Sequence, residues 1–208
     1  LAPAVQAPLT RRQVSIGGRR VRVIDVHAHT NIPIAAVVKG TPFEKQGAGN
    51  PGLEERLRAM DKQGVDLQAL SINGFWWYGI QDRGLARAVC NAQNEGLAQW
   101  VKKYPDRFVA MASVPLQFPD LAAEILQDAV TRLGARGVTM GGHINGESPS
   151  LDTFDPFWAK AAEMGELVFM HPGGADNIIR EEAWKARGDL GNIIGNPLET
   201  TYFLTRLM

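Results

Sequence analysis

The chain has 208 residues, of which 45% are hydrophobic and 21% charged, a composition that fits a globular fold with a substantial core. Its 22 basic residues balance 22 acidic ones, which argues against nucleic acid or an anionic membrane as partner. A single cysteine, Cys90, excludes an intrachain disulfide, and no apolar run approaches the ~20 residues that a membrane span needs.

The first residues read Leu-Ala-Pro-Ala-Val-Gln-Ala, small-residue composition of the kind found around a secretory cleavage site. Residues 1–12 are therefore read as an N-terminal arm or signal-peptide remnant, and 13–208 as one domain. This slightly favours a periplasmic or secreted location over the cytoplasm; the alternative is a trimmed, disordered arm.

Residues 13–16, the pair Gly17-Gly18 and residues 19–24 predict a hairpin leading into a core strand. Leu53 to Gln63 has helical spacing and stops at Gly64, and residues 65–72 form a strand. A long helix runs from Leu85 to Tyr104 and ends before Pro105. Residues 108–114 are the third core strand. The next helix carries Ala122, Ile125, Leu126 and Ala129 on one face, with Asp120 as its expected N-cap. Residues 137–141 are a strand leading to His143. Asp155-Pro156 opens a helix with a cap and a proline at its first position. Residues 166–170 are a strand ending at His171-Pro172, and a helix begins at Pro197. Strand and helix alternate five times, which implies a parallel sheet with helices outside it. A closed eight-stranded barrel typically needs ~250 residues. We therefore expect an incomplete α/β barrel, and a chain that continues beyond Met208.

All four histidines fall at the C-terminal ends of predicted strands, the face that carries the active site in an α/β barrel. Val21 to Thr30 reads VRVIDVHAHT. Side chains alternate along a strand, so Asp25, His27 and His29 are expected on one side. Two such imidazoles can share a divalent metal, with Asp25 orienting them from behind; the plain alternative is a strand end with hydrogen-bonded histidines. His171 supplies a third imidazole, the usual number of protein ligands at a catalytic zinc. His143, in Gly141-Gly142-His143-Ile144-Asn145-Gly146, is expected to line the substrate pocket as a catalytic group; its alternative is a ring bonded to the loop backbone. After the second strand, Asn73 and the aromatic run Phe75, Trp76, Trp77 and Tyr78 are expected to wall an apolar substrate site. They could instead pack under the loop or at a subunit contact.

An ordered set of segments carries a family likeness. These are Asp25-Val26-His27-Ala28-His29, Met60-Asp61-Lys62-Gln63-Gly64-Val65-Asp66 and Tyr104-Pro105-Asp106-Arg107-Phe108, followed by Gly137 to His143, His171-Pro172-Gly173-Gly174 and Asn196-Pro197-Leu198-Glu199-Thr200-Thr201. With these, the chain resembles the amidohydrolase superfamily, and within it the branch of aminocarboxymuconate semialdehyde and hydroxybenzoate decarboxylases. The resemblance implies a metal-dependent TIM (β/α)8 barrel, of which the chain covers about the first five strand–helix units. It implies one divalent ion, zinc in the first instance and manganese as the alternative, with His27, His29 and His171 as ligands and His143 near the substrate. The fourth strand offers Thr139 and Gly141 where other members carry a bridging lysine, which favours one metal over two. It also implies a small-molecule carboxylic acid as substrate and a homodimer when complete.

The chain departs from the family in three places. The family's aspartate on the eighth strand and its histidine after the sixth have no counterpart before Met208. Gly173-Gly174 replaces an aromatic residue after His-Pro. The family's substrate arginine has no match between Thr30 and Glu55, where only Lys39 and Lys45 are cationic. The expected function is thus a metal-dependent carboxy-lyase acting on a small aromatic or conjugated acid other than the muconate. The alternatives are a hydrolase of an ester, lactone or amide, and a shortened, catalytically silent homologue.

Overall fold

The computed structural model describes residues 10–47, 52–72, 74–175, 178–179 and 190–208. Most of the expected N-terminal arm and Asn73 lie outside them. Residues 11 and 12 are already docked: the Arg12 N–H bonds the Asp61 carbonyl at 2.9 Å, and Arg11 pairs with Asp61 and Asp66.

A hairpin comes first, β1 (Ser15–Ile16) against β2 (Arg19–Arg20). Its turn is Gly17-Gly18, with φ of +56° and +75°, the left-handed pair that a two-residue hairpin turn with matching twist requires. Five parallel strands follow: β3 (Ile24–Thr30), β4 (Leu67–Ile72), β5 (Phe108–Ala110), β6 (Val138–Gly141) and β7 (Val168–His171). β4 pairs with β3 and β5, β6 pairs with β7, and a single parallel bridge from Ala112 to Val138 joins the two groups. The third strand is shorter than expected, because after Ala110 the chain turns toward β6 while staying buried.

The helices are α1 (Ala35–Val38), α2 (Leu53–Gln63), α3 (Arg83–Lys103), α4 (Pro119–Thr131), α5 (Asp155–Met164) and α6 (Asn196–Leu207). α3 shows how the sequence sets them. The Asp82 side chain accepts the Leu85 N–H at its N-terminus, satisfying an orphan donor. Ala86, Val89, Cys90 and Leu97 recur at helical spacing and are fully buried, so one apolar stripe faces the sheet. Two expected caps are absent. α4 starts two residues earlier than read, with Pro119 inside its first turn, and Asp120 instead makes a bidentate pair with Arg83 on α3. α5 begins at Asp155 itself, behind a 3-10 turn, without a side-chain cap. In both cases the proline sets the start, since it has no N–H to satisfy.

Each strand thus delivers its C-terminal end to one face of the sheet, and the core lies between strands and helices. At the opposite end, Asp66 is buried, accepting the Val23 N–H at 2.8 Å and pairing with Arg20. Arg107 donates to the carbonyls of Val65 and Asp66 and pairs with Asp61 at 2.9 Å. Among the described residues no helix is long and apolar enough to cross a membrane.

Candidate metal centre

β3 is not a regular strand. Its register against β4 shifts between Asp25 and Ala28, so simple alternation fails there and Asp25 does not stand behind the imidazoles as expected. Its Oδ1 instead accepts the backbone N–H of His27 at 3.1 Å, and its Oδ2 accepts the side-chain amide of Gln68 at 2.9 Å. Arg56 on α2 completes the chain of bonds, donating to Gln68 Oε1 at 3.0 Å and to the carbonyl of His29. Asp25 therefore fixes the backbone that carries the histidines and leaves their rings to one another. Arg56 and Gln68 belong to this support, and sequence reasoning missed both, because nothing local distinguishes them from a surface arginine and a strand glutamine.

The structure brings His27, His29 and His171 together across 142 residues. His29 Nε2 lies 2.6 Å from His27 Nε2 and 3.0 Å from His171 Nε2, and the three ligand atoms fall within 4.8 Å of one another. Nitrogens bound tetrahedrally at ~2.0–2.1 Å from one zinc would stand about 3.3 Å apart; two of the three pairs lie at 2.6 and 3.0 Å and the third within 4.8 Å, close enough to share one ion. Burial, followed by the neighbouring charges of His27 and Arg56, holds His29 below the usual imidazole range; burial and then His29 do the same for His171. Neutral rings present lone pairs, the form in which imidazole binds metal. The donor set fits one divalent cation.

Beside this cluster is a cavity of about 320 Å³, lined by Phe75, Trp76, Tyr78, Gly141, His143 and Glu199 among others. Gly141 is the residue paired with His171 across β6 and β7, and the Phe75 ring centroid is 6.3 Å from that of His171, so cavity and cluster adjoin. Phe75 and Trp76 line this cavity. Trp77 does not: it is fully buried, and its indole N–H donates to the Val114 carbonyl at 3.0 Å. It packs beneath the loop because the 3-10 turn at Trp76–Gly79 sends consecutive side chains in different directions. Tyr78, the last of the aromatic run, lines the cavity and is stacked on Phe75 at 5.5 Å. Burial pushes its phenol far up, keeping it neutral.

His143 stands in the loop after β6. Its Nδ1 accepts the Gly146 N–H at 3.0 Å, so a neutral ring carries its proton on Nε2. Nε2 lies 3.9 Å from Glu199 Oε1. The ring thus has its Nε2 near a buried carboxylate. Glu199, whose role was unassigned by sequence, had one signal: a charge in the stripe of α6 that also carries Phe203.

Comparison with known proteins places this geometry. The family model described as Amidohydrolase matches residues 24–205. A gamma-resorcylate decarboxylase of Rhizobium sp. (strain MTP-10005) is 35% identical over 125 residues, which are 57% of this chain and 38% of that protein. The solved structure of a 2,6-dihydroxybenzoate decarboxylase from Rhizobium superposes with a TM-score of 0.74 at 28% identity, covering 90% of this chain and 61% of that one. A manganese-bound 5-carboxyvanillate decarboxylase from Novosphingobium aromaticivorans gives a TM-score of 0.77 at 24% identity, covering 89% and 60%. At that identity the likeness speaks for the fold. The chain spans less than two thirds of each.

Proposed function

The chain belongs to the amidohydrolase family, and from that premise we propose that it is the metal- and substrate-binding part of a decarboxylase acting on small hydroxylated aromatic acids. The observation that carries this reading is the convergence of three imidazole nitrogens at the edge of a cavity walled by Phe75, Trp76 and Tyr78. Named relatives that decarboxylate gamma-resorcylate and 2,6-dihydroxybenzoate support it.

His27, His29 and His171 would hold one divalent ion. An all-imidazole set suits zinc, whereas the Novosphingobium relative carries manganese. When bound, such an ion supplies Lewis acidity and a site for a carboxylate with a neighbouring oxygen. The chain's residues do the rest. The aromatic walls orient a planar ring and exclude water, which would otherwise solvate the carboxylate that must leave. Decarboxylation leaves carbanion character on the ring carbon, and a proton has to arrive there. His143, on the cavity side and outside the ligand set, is assigned as the pocket's catalytic side chain, its neutral ring carrying the proton on Nε2. Asn73, outside the described residues, is proposed from the sequence as a further substrate contact.

Two measurements test this on the intact protein. Elemental analysis should find about one divalent ion per chain, lost in His171→Ala and kept in His143→Ala. Carbon dioxide release should be faster from ortho-hydroxybenzoates, which chelate, than from para isomers. Trp76→Ala should lower that rate without loss of metal. Hydrolysis of esters with no carbon dioxide released, or equal rates on both isomers, would overturn the proposal.

A further inference from the structure

The aromatic wall of the cavity is held from outside its own loop. Phe75 takes φ of +44°, a left-handed backbone that a bulky side chain rarely adopts, and the 3-10 turn Trp76–Gly79 follows at once. So short a turn leaves carbonyls at its end without partners of its own. Side-chain amides from two neighbouring strand-end loops meet them. Gln117, after β5, donates to the carbonyls of Trp77 at 2.7 Å and Ile80 at 3.1 Å. Asn145, after β6, donates to the Tyr78 carbonyl at 2.8 Å and also borders the cavity. The turn that carries Asn145 selects that residue type. Ile144 and Glu147 exchange backbone hydrogen bonds at 3.0 and 2.9 Å, and between them Asn145 and Gly146 have φ of +51° and +90°. This is the two-residue hairpin turn in which both central residues are left-handed. Glycine, asparagine and aspartate enter that conformation most readily, and of the three only asparagine has an amide hydrogen to give.

We propose that Asn145 is a positioning residue that fixes Tyr78, and with it the stacked Phe75 ring, as the surface on which an aromatic substrate lies. The inference rests on the aromatic-acid reading given above. The Tyr78 and Phe75 rings are stacked 5.5 Å apart with an interplanar angle of 20°, so a shift of the Tyr78 backbone passes to both. The Phe75 ring in turn stands 6.3 Å from that of His171. Asn145 thus helps set where the wall stands relative to the imidazoles that would hold the ion. A wall fixed before the ligand arrives costs no ordering on binding. Without the Asn145 bond, part of the free energy gained by the substrate ring goes into ordering the loop. An acid that carries a ring uses wall and ion together, whereas a ring-free acid with the same oxygen donors uses the ion alone. Asn145 therefore governs selectivity for the ring.

The test compares two acids that carry a carboxylate beside a hydroxyl: salicylate, with a ring, and glycolate, without one. Their dissociation constants are measured by calorimetry on the intact, zinc-loaded protein and on Asn145→Gly, which keeps the left-handed turn and loses the amide. The wild type should bind salicylate more tightly than glycolate. In Asn145→Gly salicylate binding should weaken about fivefold, the scale of one neutral hydrogen bond, while glycolate binding and zinc content stay as in the wild type. Unchanged salicylate binding in the variant overturns the proposal. So does an equal loss for both acids, which marks general damage to the site, or a wild type that does not prefer salicylate. If the variant does not fold, the wild type decides by NMR: an Asn145 side-chain amide proton protected from exchange supports the bond, and one exchanging as fast as an exposed amide sinks it. These measurements need no turnover. A protein that shows the selective loss but releases no carbon dioxide from any hydroxybenzoate would retire the decarboxylase reading and leave the positioning role standing.

Discussion

Gln68 connects two groups that would otherwise be badly placed. Its amide nitrogen donates to Asp25 and its oxygen accepts from Arg56, in a buried position on β4. Gln68→Leu keeps the size but leaves a carboxylate oxygen and a half-buried guanidinium without that partner. Loss of a hydrogen bond to a charged group costs about 1.5–3 kcal/mol, so the melting temperature should fall. Because Asp25 holds the His27 backbone and Arg56 the His29 carbonyl, zinc affinity should also fall, by about tenfold or more, the usual cost of removing an outer-shell partner. Competition with a chelator measures it. Unchanged affinity in a folded Gln68→Leu protein would show that the histidines converge without this support.

At the scale of elements, the site depends on how β6 and β7 are joined. Gly137 immediately precedes β6 with φ of +141°, and a Cβ there would lie 2.3 Å from the Leu167 carbonyl oxygen. That same oxygen accepts the Val138 N–H at 2.9 Å, so it cannot move aside without loosening the pairing that sets Gly141 opposite His171. Gly137→Ala should therefore destabilise by about 3 kcal/mol or more, since a residue forced into an incompatible backbone conformation and a close contact add their costs. Denaturant unfolding reads the loss. The surface seam between α3 and α4 makes the contrasting case. Arg83–Asp120 and Arg87–Glu124 are well-formed but exposed ion pairs, and Arg87→Ala should change stability by less than about 1 kcal/mol.

The whole molecule separates support from chemistry by its two ends. The segments around Asp61–Asp66 and Arg107, which carry much of the family likeness, build a buried polar cluster at the end away from the histidines. The Val23 N–H, followed by Arg20 and Arg11, holds the Asp66 carboxyl below the ordinary carboxylate range. A folded-state pKa below the unfolded value means that this group stabilises the fold above about pH 4. The contribution is lost as pH falls through the depressed folded value. Asp66→Asn should cost about 2 kcal/mol at neutral pH, the scale of a lost hydrogen bond to a charged group, and flatten the acid limb of the stability curve. A variant with an unchanged acid limb would show that other carboxylates govern acid unfolding.

Periodicity and strand-end placement were enough to read the alternation of strands and helices and to single out His27, His29 and His171, because spacing of two and of 3.6 residues is written locally along the chain. The ordered motifs likewise made the family legible. Local pattern did not reach further. The bulge at Asp25 depends on how β3 registers against β4, so only tertiary structure shows that the carboxylate grips the backbone and spares the rings. Trp77 and Tyr78 are neighbours of similar character, and the turn geometry alone decides which fills the core and which faces the cavity. Glu199 looks like a misplaced charge on an amphipathic helix until folding sets it against His143 and Gly174. A side chain's partner across the fold is fixed by packing and register, which no single stretch of sequence contains.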